Sequence, residues 1–373
     1  MPVPVHTGTI GIQSETVAIT TLELQLRAKP EPTSRAHTRE GQGQGQGQGC
    51  DTHPSMIPIK DIRAAHQAIH GKALRTPLVR LNYPEDEREI YLKLENLQPI
   101  ASFKIRGAVN AFRLAPKGAF EKGVLTASAG NWAQGVAWVA RETNVPCTII
   151  VPEHAPKTKL AAIERLGARH IGVPYDAWWQ CMTERRFEGV EGWFLHPVED
   201  EPVMAGNGTI ALEILEDLPD PDVVLIPWGG GGLASGIASG LRQLRPETRV
   251  YGVEVDGAAP LTASFAAGEM TTVERKTSFI DGIGSGGLLP KMWPLAQELL
   301  TGTFTASVEA IESALRLVVE RNRVVPEGAG ACSVAVALSG EVDARKIVCI
   351  VSGGNIDSDV LGKILSESPA SAP

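Results

Sequence analysis

The sequence predicts an α/β protein whose parallel sheets are covered by helices on both faces. Three observations carry the prediction: Val- and Ile-rich runs recur along the chain, helical patterns separate several of them, and small-residue loops follow the runs. In chain order the runs are IYLKLE (90–95), GVLTAS (123–128), VPCTIIVP (145–152), DVVLIPW (222–228), RVYGVEV (249–255) and KIVCIVS (346–352). The helical patterns include AQGVAWVARET, KTKLAAIERLGA, TIALEILEDL, LASGIASGLRQL and VEAIESALRLVVERN. A strand buried on both faces is apolar throughout, and the helices between such strands are the crossovers that keep them parallel. Ligands in this architecture bind in the loops beyond the strands' carboxyl ends, so the chemistry is sought there.

Composition sets the outer limits. A chain of 373 residues that is 43% hydrophobic and 21% charged has the make-up of a soluble globular protein, with enough residues for one large domain or two ordinary ones. A net charge of −8 argues against a nucleic-acid or anionic-membrane partner, and no apolar run is long enough to span a bilayer. The five cysteines are odd in number, widely spaced and free of any CxxC pair, so they read as reduced thiols of a cytoplasmic protein. Residues 41–49 (GQGQGQGQG) are low in complexity, and residues 1–54 are expected to be a disordered, dispensable tail. Residues 1–40 have no signal-peptide core and carry Glu15, Glu23, Glu31 and Glu40, unlike an acid-poor transit peptide; an organelle address is the minor alternative. A short tail is also expected at 367–373.

Four loops then stand out. After IYLKLE and the loop NLQPIA comes Ser102-Phe103-Lys104-Ile105-Arg106-Gly107-Ala108. With Ser102 as N-cap, Lys104 falls in the first helical turn, where the positive helix end favours a neutral amine. Imine chemistry requires that neutral form, although any single lysine is more often a solvated surface charge. After GVLTAS, Ala129, Gly130, Asn131 and Trp132 open a helix. They form either a pocket suited to a carboxylate or an ordinary turn with Asn131 bonding its own backbone. After DVVLIPW come Gly229, Gly230, Gly231 and Gly232, ahead of LASGIASGLRQL. This is neither GxGxxG nor a Walker loop; it reads as a phosphate site or as a flexible turn. After KIVCIVS, Ser352 precedes Gly353-Gly354-Asn355, by itself a turn.

The set is more informative than its members. SFKIRGA, SAGNxAQG, GGGGLASGIA and VSGGN occur in that order, each at a strand's end, with LKLENLQP, PKTKLAAIERLGA, HPVEDEPVMAGNGTIALEIL and DGIG in between. Together they resemble the fold-type II pyridoxal-phosphate enzymes (tryptophan synthase β-like), in the branch of threonine and serine dehydratases and serine racemase, from about Ile57 to about Leu365. The resemblance implies two α/β lobes with the cofactor, pyridoxal 5′-phosphate, between them. It puts a large lobe at 55–118 plus 198–366, a small mobile lobe at 119–197, and a homodimer. It implies that Lys104 carries the cofactor covalently and acts as catalytic base, with Phe103 packed on the ring. Asn131 would bond the phenolic oxygen, Gly229 to Gly232 and Leu233 the phosphate, and Ser352 the pyridine nitrogen, with Glu327 near the ring. Ser128 is a catalytic candidate, and Ser128, Ala129, Asn131 and Trp132 would line the substrate. The implied activity is a dehydratase, or ammonia-lyase, converting L-threonine or L-serine to a 2-oxo acid and ammonia by β-elimination.

Departures from the family pattern sharpen this reading. Serine racemases place a second serine before Gly-Asn, as the base on the opposite face; here Ala129 stands there and cannot transfer a proton. Trp132, with Trp178 and Trp179 of YDAWW, points either to a pocket for a bulkier 3-hydroxy amino acid such as phenylserine or to core and interface aromatics. Ile100-Ala101 replaces the family's Thr-Gly. Glu254 matches one ligand of the racemase-type metal site, but Pro260 stands where the aspartate belongs, so no metal is expected. From a different class, a non-catalytic protein that binds pyridoxal phosphate is the alternative.

Overall fold

The computed structural model describes residues 56–83 and 87–366, so the tails expected at 1–54 and 367–373 lie outside the described residues. Among the described residues the strands are β1 (Leu78–Arg80), β2 (Glu89–Leu94), β3 (Val124–Ala127), β4 (Cys147–Pro152), β5 (Arg169–Val173), β6 (Trp193–Phe194), β7 (Val223–Pro227), β8 (Arg249–Val255), β9 (Gly302–Ala306) and β10 (Lys346–Val351). The helices are α1 (Ile59–Ile69), α2 (Lys104–Leu114), α3 (Asn131–Glu142), α4 (Lys157–Arg165), α5 (Tyr175–Glu184), α6 (Glu201–Asp217), α7 (Gly232–Leu244), α8 (Pro260–Ala267), α9 (Met292–Leu299), α10 (Val308–Asn322), α11 (Gly328–Leu338) and α12 (Ser358–Ser366).

The strands form two sheets. One has six strands in the order β1-β2-β10-β7-β8-β9, the other four in the order β5-β4-β3-β6. Only β1 runs antiparallel to its neighbour; the remaining pairs are parallel. The apolar runs read from the sequence are the inner strands, because inner strands are sandwiched on both sides. Along β10, Ile347, Cys349 and Val351 enter the core shared with α10 and α11, while Val348 and Ile350 enter the opposite core under α6, α7 and α9. In the smaller sheet, Ile149 and Val151 of β4 face α2 and α3, and Ile150 faces α5.

The helix that carries Lys104 is anchored by buried charge as well as by apolar packing. Arg106, two residues along, donates to both carboxylate oxygens of Glu95 at 2.8 Å and to those of Glu213 at 2.6 and 2.8 Å. Lys93 donates to Glu213 and to the Thr76 carbonyl, each at 2.6 Å. Two cations and two carboxylates, none of whose side chains is more than 2% exposed, thus tie β2 and α2 to α6. The close α2–α6 contact depends on a glycine, since a Cβ at Gly206 would sit 2.4 Å from the Arg106 carbonyl oxygen. α6 itself begins at Glu201, well ahead of the stretch whose helical pattern is legible in the sequence.

One local expectation is corrected. Phe103, not Ser102, is the N-cap of α2. Ser102 is drawn into an antiparallel bridge with Gly353, and its hydroxyl accepts only a long 3.4 Å bond from the Lys104 N–H. Lys104 is nonetheless the first residue of the helix. Glu254 is not left open for a metal: its oxygens accept from the Leu261 N–H, the Thr262 N–H and the Thr262 hydroxyl at 2.8–3.0 Å, which ties it to the first turn of α8. Among the described residues no cluster of metal-ligating side chains is found.

Candidate active site

The loops beyond β2, β3, β7 and β10 converge on one cavity of about 470 Å³. Of the residues singled out from the sequence for cofactor or substrate, all but Trp179 lie on its wall: Phe103 and Lys104 from the start of α2, Ser128, Ala129, Asn131 and Trp132 from the β3–α3 junction, Trp178 of α5, Gly229 to Leu233 from the β7–α7 junction, Glu327 at the head of α11, and Ser352 after β10. Parallel strands end at one edge of a sheet, so loops far apart in sequence share that edge.

The Lys104 amine donates to the Pro197 carbonyl at 3.2 Å and lies 5.0 Å from the Phe103 ring centre and 5.7 Å from the Trp132 ring centre. Burial among these groups brings it down to about 8, with Glu327 pulling the other way. A carbonyl acceptor holds an amine by its N–H and leaves the lone pair free. The turn that supplies this carbonyl is set by His196, whose Nδ1 accepts from the Val198 and Glu199 N–H groups at 3.2 and 2.9 Å. His196 is buried and, through desolvation and then the neighbouring Arg185 and Lys104, is pushed down to about 3; it therefore stays a neutral acceptor.

Opposite Lys104, Asn131 donates to Glu327 at 2.8 and 3.1 Å, and its carbonyl oxygen accepts from Asn355 at 2.8 Å. Burial drives Glu327 up to about 7, against the pull of Asn131, Lys159, the Asn355 backbone and Lys104. The four-glycine turn opens α7 with Gly231 at φ +98°, a conformation that glycine adopts without strain. The head of α7, Gly232 and Leu233, lines the cavity, an arrangement suited to a phosphate.

The aromatic residues divide. Trp132 is 2% exposed and its indole N–H is committed to the Thr126 hydroxyl at 2.8 Å, so it is a core residue that also walls the cavity. Trp178 lines the cavity together with Tyr175, their rings 5.4 Å apart. Trp179 does not: it is 44% exposed, with its ring centre 6.1 Å from that of Trp178. Sequence reading left several wall residues without a role. Lys159 of α4 pairs with Asp281 across the cavity mouth, and Asn355 and Pro197 hold the polar groups described above. All lie in phrases legible in the sequence (PKTKLAA, DGIG, VSGGN and HPVED), but their contacts arise only between elements distant along the chain.

Comparisons with known proteins agree with this geometry. The profile of the pyridoxal-phosphate dependent enzyme family matches residues 69–353. An L-threonine ammonia-lyase of Thermotoga maritima is 38% identical over 317 residues, which span 84% of this chain and 79% of the relative. The catabolic L-threonine dehydratase TdcB of Escherichia coli K12 is 37% identical over 322 residues, 84% of this chain and 97% of its own length. Among solved structures, maize serine racemase superposes with a TM-score of 0.78 at 30% identity, covering 83% of this chain and 97% of that one. The processed form of a threonine deaminase from Solanum lycopersicum gives a TM-score of 0.73 at 31% identity, covering 83% and 92%. The chain thus belongs to the fold-type II pyridoxal-phosphate dependent enzymes, in the group of the threonine ammonia-lyases and their serine racemase relatives.

Proposed function

We propose that the enzyme is a dehydratase, or ammonia-lyase, that converts L-threonine or L-serine to the corresponding 2-oxo acid and ammonia. The observation that carries this reading is the buried Lys104 amine, brought near neutrality and held by its N–H on the Pro197 carbonyl at the wall of the cavity. Pyridoxal phosphate fits the residues present: a buried amine to attach to, a helix N-terminus behind a glycine turn for the phosphate, and the Ser352 and Asn131 side chains on the same wall. When bound, it supplies an electron sink that makes the α-proton of an amino acid removable.

The protein's own groups do the rest. Gly229, Gly230, Gly231, Gly232 and Leu233 would hold the phosphate, Phe103 would pack against the ring, and Ser352 would meet the pyridine nitrogen as an uncharged partner. Glu327 sits beside Asn131, which would meet the phenolic oxygen. Ser128, Ala129 and Asn131 receive the substrate carboxylate at the head of α3, with Trp132 behind them. The Lys104 amine takes the α-proton. The β-hydroxyl leaves with one proton as water, and hydrolysis of the released enamine consumes one water and yields ammonia and the 2-oxo acid. Ala129 offers no proton to the opposite face, which disfavours racemisation. The small lobe, 119–197, closes over the substrate. The free, buried thiols of Cys147, Cys181, Cys332 and Cys349 are in keeping with a cytoplasmic enzyme, and a homodimer is part of the same reading.

A second reading is favoured by Tyr175 and Trp178: a bulkier β-substituent, as in phenylserine, would lie against their rings. The test is 2-oxo acid release from L-threonine, L-serine and L-threo-3-phenylserine side by side, for the wild type and Lys104→Ala. Turnover of threonine or serine that disappears in Lys104→Ala is the expected result. Turnover that survives the substitution refutes the mechanism, and cofactor uptake without turnover of any substrate points to the non-catalytic binder.

A further inference from the structure

The polar groups behind Asn131 form a chain with a direction, and that direction starts at a backbone atom. The Ile100 carbonyl can only accept, and it accepts from Asn355 Nδ2 at 2.9 Å. This fixes which end of the Asn355 amide faces inward. The second Nδ2 hydrogen then goes to Asn131 Oδ1 at 2.8 Å. With its oxygen so engaged, Asn131 must turn its nitrogen to Glu327, and it does so at 2.8 and 3.1 Å from the two carboxylate oxygens. Read from the other end the result is the same whenever Glu327 is ionised, since a carboxylate only accepts. The Ile100 carbonyl therefore fixes the amide assignment of Asn131, and an ionised Glu327 agrees with it.

The number of hydrogens left over follows as well. The two N–H bonds of an amide diverge at the trigonal angle, whereas the two oxygens of one carboxylate lie close together. A single Asn131 N–H therefore bifurcates onto Glu327, and the second is left uncommitted on a residue that lines the cavity. The approach that permits this needs Gly353, where a Cβ would come within 2.5 Å of Glu327 Oε1 and 3.1 Å of Asn131 Nδ2.

We infer that Asn355 and Glu327 are positioning residues that clamp the Asn131 amide from both ends, so that Asn131 presents an N–H donor and never its carbonyl to the bound cofactor. The inference rests on the proposed function, in which Asn131 faces the phenolic oxygen of pyridoxal phosphate. A donor there favours the ionised oxygen, and a carbonyl would favour the protonated hydroxyl. Either clamp alone orients the Asn131 amide, so each is dispensable while the other remains and the orientation is lost only when both are removed.

This redundancy is the test. Asn355→Ala, Glu327→Gln and the double variant are purified without cofactor and titrated with pyridoxal phosphate, and both the dissociation constant and the ratio of visible to near-ultraviolet absorbance of the loaded protein are read. In Glu327→Gln the new amide can still turn its oxygen to Asn131, and in Asn355→Ala the carboxylate still takes the N–H. Each single variant should bind within about threefold of wild type, with an unchanged band ratio. The double variant should bind at least about tenfold more weakly than the product of the single effects, with absorbance moved from the visible to the near-ultraviolet band. Effects that simply multiply, with an unchanged band ratio, overturn the clamp and assign both residues to packing. Should the double variant not fold, Asn355→Ser with Glu327→Gln is read in the same way, because a hydroxyl donates and accepts equally and so erases the direction. A wild-type protein that takes up no pyridoxal phosphate overturns the functional reading itself, an outcome distinct from failure of the clamp.

Discussion

Replacing Arg106 by methionine removes one of two cations from a cluster shielded from water, and the structure sets the size of the effect. The five N–H groups of the guanidinium make six hydrogen-bond contacts, one N–H being shared: two to Glu95, two to Glu213, and one each to the Thr209 hydroxyl and the Leu74 carbonyl. Without it Glu213 keeps Lys93, but Glu95, which is 0% exposed, keeps only Thr76 and Gln98. An exposed ion pair is worth about 1 kcal/mol or less. Breaking a buried one costs about 3–5 kcal/mol, because the surviving charge is left dry and unpaired. The loss should carry a pH signature. In the wild type burial pushes Glu95 upward, but Arg106 and Lys93 outweigh it and hold the carboxyl below its ordinary range. Its share of stability is thus present above that range and is lost only as pH falls through the lower folded value. In Arg106→Met burial prevails and the carboxyl moves up. The folded state then binds the extra proton, and the deficit is largest near neutrality and shrinks toward about pH 5. Urea unfolding of wild type and variant, followed by tryptophan fluorescence at about pH 7.5 and about pH 5, measures both features. Arg75→Met, which breaks a half-exposed pair with Glu216 and Asp217, is the control. A deficit no larger than that of the control, or one that does not change with pH, would refute the reasoning.

Further expectations follow from single observations. Ala101 holds φ +53°, a left-handed conformation that costs a non-glycine residue roughly 1–2 kcal/mol. Ala101→Gly relieves that strain and gives back about 0.4–1 kcal/mol through the more flexible unfolded chain, so a net gain of about 0.5–1 kcal/mol is expected in the same unfolding assay. Glu327 is raised to about 7 by burial, so its contribution to the cofactor-free protein is complete below its unfolded value and is lost as pH rises through 7. The unfolding midpoint of Glu327→Gln should therefore improve relative to wild type as pH climbs through that window, and a constant difference would contradict the raised value. If a β-phenyl group lies against Trp178, Trp178→Ala should cut kcat/KM for phenylserine roughly tenfold more than for threonine, about 1.4 kcal/mol of lost contact. Equal losses would place the ring elsewhere.

The inner strands and the loops beyond them were legible in the sequence, because a strand covered on both faces must be apolar along its whole length. Val223–Pro227 is buried at every position and Lys346–Val351 at every position after the first. The four strands that left no clear trace, β1, β5, β6 and β9, are the edges of the two sheets, with one side toward solvent and mixed burial to match. Lys104, the glycine turn, Asn131 and Ser352 stood out because each motif is short and local and ends a strand, which is enough to bring them to one cavity once the sheets are parallel. The early start of α6 was hidden because Gly206 and Gly208 read as helix breakers until the close approach of α2 and α7 gives them a purpose. In the same way, sequence could name Glu327 and quote Asn355, but the direction of the amide chain between them depends on contacts spanning 196 and 224 residues. Local residue type therefore determined the chemistry available to this protein. Only the tertiary structure decided which donor meets which acceptor, because a hydrogen bond is set by distance and angle, and neither is a property of spacing along the chain.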